Sequence, residues 1–203
     1  MKLKVCGMKY AENIMEVAAL HPDFMGFIFY PHSKRYVGEH FDLKKIKAFP
    51  KEVKKVGVFV NAEEQFIRFM VKRNDLDYVQ LHGMESPAYC ERLSYEIKII
   101  KAFGIHPHFD FHSLKKYKPH CSYFLFDTKI SSFGGSGKQF DWNILNQYDL
   151  DIPYFLSGGV GMGSIADLKQ QHPFAIDVNS KFETDPGLKD TDLLQEFLAI
   201  IHA

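Results

Sequence analysis

The sequence carries no surplus of positive charge, since 25 Lys and Arg stand against 25 Asp and Glu. That balance excludes the electrostatic footprint of a nucleic-acid binder and any strong pull toward an anionic membrane. Long hydrophobic runs are missing too. Phe24-Met25-Gly26-Phe27-Ile28-Phe29-Tyr30 is among the longest apolar stretches and falls far short of a bilayer span. Cysteine is scarce: Cys6, Cys90 and Cys121 are odd in number and lack metal-type spacing, which fits a reducing compartment. The chain passes from Met1-Lys2 straight into a strand-like run without an apolar signal core, so it reads as cytoplasmic.

What is present is an ordinary globular composition. A 46% hydrophobic share over 203 residues argues against disorder and allows a substantial core, to which most of the 19 Phe belong. Short β-rich runs alternate with helix-like stretches from one end to the other. Strands are expected at 2–6, 24–29, 55–60, 78–81, 97–103, 123–127, 154–157 and 174–178. Helices are expected at 11–20, 43–49, 62–72, 87–94, 110–117, 143–147, 164–170 and 190–202. Eight βα units of about 25 residues each predict a parallel sheet that closes. The fold class is therefore α/β, a single (βα)8 barrel in lean form, with residues 1–203 as one catalytic domain. An open doubly wound sheet would need a glycine-rich phosphate loop after its first strand, and Cys6-Gly7-Met8-Lys9-Tyr10 is not one.

In such a barrel the C-terminal strand ends open onto one catalytic face. Side-chain alternation turns Leu3 and Val5 toward the outer helices and Lys4 and Cys6 into the barrel. A lysine beneath the thiol favours the thiolate, the form needed for a base. Tyr123, Leu125 and Asp127 share the interior side of the sixth strand, which places a carboxyl almost opposite the thiol. Burial would raise its pKa toward that of a working acid. Leu156-Ser157-Gly158-Gly159-Val160 and Asp177-Val178-Asn179-Ser180-Lys181 end strands seven and eight, where barrels of this kind often bind phosphate through backbone N–H groups.

Arg35 lies on the loop after strand two, where a guanidinium suits a second anion such as a carboxylate. Gln80, in Gln80-Leu81-His82-Gly83, ends strand four on the same rim and forms part of the wall. Gly134-Gly135-Ser136-Gly137-Lys138 lacks the spacing and the hydroxyl of a nucleotide-binding loop, and reads as a flap. His106, His108 and His112 belong to an exposed loop, and no metal site is expected.

Taken in order, Lys4-Val5-Cys6-Gly7-Met8, Ser33-Lys34-Arg35-Tyr36-Val37, Val79-Gln80-Leu81-His82-Gly83, Phe126-Asp127-Thr128, Gly134-Gly135-Ser136-Gly137-Lys138, Leu156-Ser157-Gly158-Gly159-Val160 and Pro186-Gly187-Leu188-Lys189-Asp190 resemble the phosphoribosylanthranilate isomerase family over nearly the whole chain. The resemblance implies an Amadori rearrangement of a phosphorylated small molecule in tryptophan biosynthesis, without cofactor or metal, by a monomer or homodimer. It implies Cys6 as general base, Asp127 as general acid, and Arg35 as holder of the substrate carboxylate. Gly158, Gly159, Asn179 and Ser180 would then hold the phosphate. The family usually has Ser-Ser-Gly-Val-Glu after the eighth strand, where this chain has Asn179-Ser180-Lys181-Phe182-Glu183, so Lys181 would offer a charge in place of a glycine.

Overall fold

The computed structural model describes residues 1–46, 49–128 and 140–202. Eight strands close into a parallel barrel in sequence order. They are β1 (Lys2–Val5), β2 (Phe24–Ile28), β3 (Lys54–Phe59), β4 (Tyr78–Leu81), β5 (Lys98–Ile105), β6 (Tyr123–Thr128), β7 (Tyr154–Leu156) and β8 (Ala175–Val178). The ring is sealed by β8 pairing with β1, in a register that sets Lys4 beside Asp177. All eight expected strands are present, displaced by a residue or two at their ends.

The two-residue period of the strands separates two cores. Phe24, Val56, Tyr78, Ile100, Ala102, Leu125, Phe155 and Ala175 fill the barrel interior. Their strand neighbours, among them Leu3, Val5, Met25, Val79, Phe124, Phe126 and Ile176, pack outward against the helices. Lys4, Gln80 and Asp177 are buried polar residues on the same faces of their strands, and Lys4 is completely buried.

The helical layer is thinner than the sequence predicts. The α-helices are α1 (Ala11–Ala19), α2 (Glu64–Asn74), α3 (Pro87–Ser94), α4 (Ile165–Gln171) and α5 (Thr191–His202). In α5, Leu194, Phe197 and Ile201 recur at helical spacing and are the residues buried. In α3, the Ser86 hydroxyl accepts the Tyr89 N–H and Pro87 occupies the first turn, a sound start for a short helix. The segments expected as helices at 43–49, 110–117 and 143–147 form 3-10 helices instead, at Leu43–Lys45, Phe111–Lys116 and Trp142–Gln147. Each opens on an aspartate, Asp42, Asp110 or Asp141, whose carboxylate accepts the N–H two residues on. Such short pieces cannot recover the cost of nucleating an α-helix, so they settle into the tighter turn.

After β8 the chain makes an unexpected antiparallel hairpin, β9 (Glu183–Asp185) and β10 (Leu188–Lys189). Its bend is carried by Gly187 at φ +91. This hairpin sets Glu183 against Arg35 and Lys189 against Asn179.

Candidate active site

Cys6 follows the last residue of β1 and faces a cleft of about 740 Å³ at the C-terminal end of the barrel. The cleft is also lined by Gln80, His82, Asp127, Gly158, Gly159, Asn179, Ser180 and Lys181. Glycine at position 26 makes room for the thiol, because a Cβ there would lie 2.7 Å from Sγ. One pleat below, the Lys4 ammonium donates to Asp177 Oδ1 at 2.7 Å, with both side chains buried. Burial works against the charged form of Lys4, yet the Asp177 carboxylate and the Cys6 sulfur beside it carry its pKa above the ordinary lysine value. The thiol behaves in the opposite way from the sequence-based expectation. Burial pushes the Cys6 pKa up, and the nearby Lys4 charge only partly offsets this.

Across the cleft, Asp127 stands on the interior side of β6, as its alternation predicts. Its Oδ1 accepts the Thr128 N–H at 2.7 Å, and its Oδ2 lies 3.4 Å from His82 Nε2. Asp127 is one-fifth exposed rather than deeply buried. His82 Nδ1 in turn lies 2.8 Å from the Gln80 amide nitrogen. Gln80 and His82 are two residues apart on one strand end and so share a face. The sequence places both at the rim, and the contact of His82 with Asp127 joins two strands that are not neighbours in the barrel.

The two glycine-bearing loops meet beside Asp127. Gly158 and Gly159 both have positive φ, +81 and +80. A Cβ on Gly158 would sit 2.5 Å from Thr128 Oγ1 and 2.9 Å from Asp127 Oδ1, so only glycine lets this loop lie against the carboxyl. The N–H groups of Gly159, Val160, Ser180 and Lys181 make no hydrogen bond to other backbone groups among the described residues. Lys181 reaches across and donates to the Gly159 carbonyl at 2.6 Å, tying the two loops together. Its charge therefore stands at the same rim as those N–H groups.

Arg35 is not the free guanidinium that the sequence implied. It is fastened to Glu183 by bonds from Nε at 2.8 and 2.9 Å and from Nη2 at 2.6 Å. Glu183 also accepts from the buried Lys189, at 2.5 Å. Neither Glu183 nor Lys189 could be found from spacing, because the contact with Arg35 joins positions 148 apart. Residues 129–139, which include Gly134-Gly135-Ser136-Gly137-Lys138, lie outside the described residues. Among the described residues no group of three or more His, Cys, Asp or Glu side chains is placed to hold a metal ion, and no helix is long and apolar enough to cross a membrane.

Residues 3–199 match the family model described as N-(5'phosphoribosyl)anthranilate (PRA) isomerase. The chain is 45% identical over 209 residues to an N-(5'-phosphoribosyl)anthranilate isomerase of Parabacteroides distasonis, covering 100% of this chain and 94% of that one. A solved phosphoribosyl anthranilate isomerase in complex with reduced 1-(o-carboxyphenylamino)-1-deoxyribulose 5-phosphate superposes with a TM-score of 0.87 at 32% identity, over 100% of this chain and 98% of that one. A crystal structure described as mutually generated monomers of the dimeric phosphoribosylanthranilate isomerase from Thermotoga maritima superposes with a TM-score of 0.84 at 31% identity, over 100% of this chain and 98% of that one.

Proposed function

Because the chain belongs to the N-(5'-phosphoribosyl)anthranilate isomerase family, we propose that it converts N-(5'-phosphoribosyl)anthranilate to 1-(2-carboxyphenylamino)-1-deoxyribulose 5-phosphate in tryptophan biosynthesis. The observation that carries this reading is the placement of Cys6 and Asp127 on one cleft, with the Gly158 loop resting against the acid. Residues 1–203 act as one catalytic domain, and every group named below comes from a single chain, which suits a monomer as well as a homodimer. A reducing cytoplasm suits its three unpaired cysteines.

Asp127 protonates the ribose ring oxygen as the ring C–O bond breaks, leaving a Schiff base. Cys6, as thiolate, takes the proton from the second sugar carbon, and the resulting enolamine tautomerises to the aminoketose. Each placed proton transfer contributes about 10²–10⁴-fold. The N–H groups of the Gly158-Gly159 and Asn179-Ser180 loops, with the Lys181 charge, bind the phosphate and hold the sugar between acid and base. Arg35 receives the anthranilate carboxylate. Lys4 supports the thiolate from below, and Gln80 sets the ring of His82 behind Asp127. Neither step calls for a cofactor or a metal.

The test follows the fluorescence of freshly generated N-(5'-phosphoribosyl)anthranilate with and without the protein. Fast, protein-dependent loss that vanishes in Asp127→Asn is the expected result. Binding without loss would leave a phosphate-binding barrel with another substrate.

A further inference from the structure

Arg35 is clamped on two sides. Its Cδ occupies the space beside the Cys6-Gly7 turn, and a Cβ on Gly7 would come within 2.6 Å of it. The Nε–Nη2 edge of its guanidinium is taken up by the three contacts to Glu183. Glu183 is pinned in turn, because its Oε1 also accepts from the Gly187 N–H at 3.1 Å and from Lys189 Nζ. The side chain of Lys189 is fully buried and that of Glu183 is 4% exposed. Lys189 donates as well to Asn179 Oδ1 at 2.8 Å, while Asn13 brackets its backbone, accepting its N–H and donating to its carbonyl.

Arg35, Lys189 and Glu183 together carry two cations and one anion, and the Cys6 sulfur near Lys189 adds an anion only when it is a thiolate. Burying a second cation beside an already paired arginine is costly, and stability alone offers no reason for it. A second anion would complete the count. The end-on edge of Arg35 is where one can bind, because Nη1 makes no hydrogen bond among the described residues.

We propose that Glu183, propped by Lys189, is a positioning residue that locks Arg35 so that its end-on edge meets the substrate's aromatic carboxylate at the rim of the cleft. The inference rests on the isomerase reading above and adds to it. Carboxylate recognition depends on a side chain that never touches the substrate. The geometry also sets the mode of binding: the carboxylate meets the Nη1–Nη2 edge, since the side-on edge is committed to Glu183.

Steady-state kinetics with two compounds tests this: N-(5'-phosphoribosyl)anthranilate and its analogue built on aniline, which lacks the carboxylate. In Glu183→Gln the KM for the first compound is expected to rise about tenfold with kcat little changed. The KM for the aniline analogue should stay where it is. A purely structural role would depress both compounds together and leave their ratio intact, which would overturn the proposal. A fall in KM for the anthranilate compound would overturn it as well, since Glu183 would then be a competitor for Arg35. Should Glu183→Gln fail to fold, the double variant Glu183→Gln/Lys189→Met removes anion and cation together and carries the same test. If the parent turns over both compounds with equal ease, the carboxylate site fails and the isomerase reading stands. If it turns over neither, both fail.

Discussion

His82 Nε2 points at Asp127 Oδ2 across 3.4 Å, while the other ring nitrogen meets the Gln80 amide at 2.8 Å. With the Gln80 amide nitrogen as donor, Nδ1 accepts and Nε2 carries the proton toward the carboxylate. The 3.4 Å contact is long for a hydrogen bond, so His82 orients Asp127 more than it binds it.

His82 and Asp127 should therefore be energetically coupled. Asp127→Asn is expected to cost about 10²–10⁴-fold in kcat, and His82→Asn roughly tenfold. The double variant should be no slower than Asp127→Asn alone, because an orienting residue has nothing left to orient. Additive losses in the measured cycle would show that His82 acts independently.

Gly26 tests the room left for the thiol. Gly26→Ala puts a methyl group 2.7 Å from Cys6 Sγ at a backbone position without strain. The thiol must shift, and displacing a reacting atom by about 1 Å costs on the order of 10²-fold in rate. Denaturant unfolding should register only about 1–3 kcal/mol, the usual cost of overpacking. A variant with parental kcat would mean that the sulfur position is not limiting.

The direction of the Cys6 shift predicts the pH behaviour of the thiol. Burial holds its pKa above the ordinary thiol value, so the thiolate is scarcer at neutral pH than in the unfolded chain. Alkylation by iodoacetamide should keep accelerating past the pH at which a free cysteine levels off. The sign for stability follows from the same direction. The contribution of the neutral thiol is complete below the unfolded value and is lost as pH rises through the folded one. Lys4→Met should move the alkylation profile still higher. It also leaves the Asp177 carboxylate buried without its partner, at a cost of about 3–5 kcal/mol in unfolding.

Lys181 separates charge from loop geometry at the proposed phosphate site. Lys181→Ala removes a cation and the bond to the Gly159 carbonyl, while the loop N–H groups remain. KM should rise several-fold with kcat little altered, and inhibition by inorganic phosphate should weaken in parallel. Unchanged phosphate inhibition would assign Lys181 to loop bracing alone.

Much of this molecule was legible from local pattern. Leu3 and Val5 alternating with Lys4 and Cys6, and Leu125 with Asp127, identified both strands and the face each residue presents, because a strand has a period of two. The Gly158-Gly159 pair marked a tight turn after β7 for the same local reason, and both residues take positive φ. Three expected helices became 3-10 turns, each started by an aspartate cap visible in the sequence, because segments so short cannot recover the entropy of nucleating an α-helix.

The amino-acid sequence by itself determined the barrel, its order of strands, and the facing of Cys6 and Asp127 into one mouth, since periodicity and spacing are properties of neighbouring residues. Only the tertiary structure decided which charges meet there. Arg35 finds Glu183, Lys4 finds Asp177, and Lys189 closes over Asn179 through contacts between distant parts of the chain. The balance between burial and a facing charge at Cys6 was settled there as well. Electrostatic energy depends on distance and dielectric in three dimensions, and no spacing along the sequence encodes either.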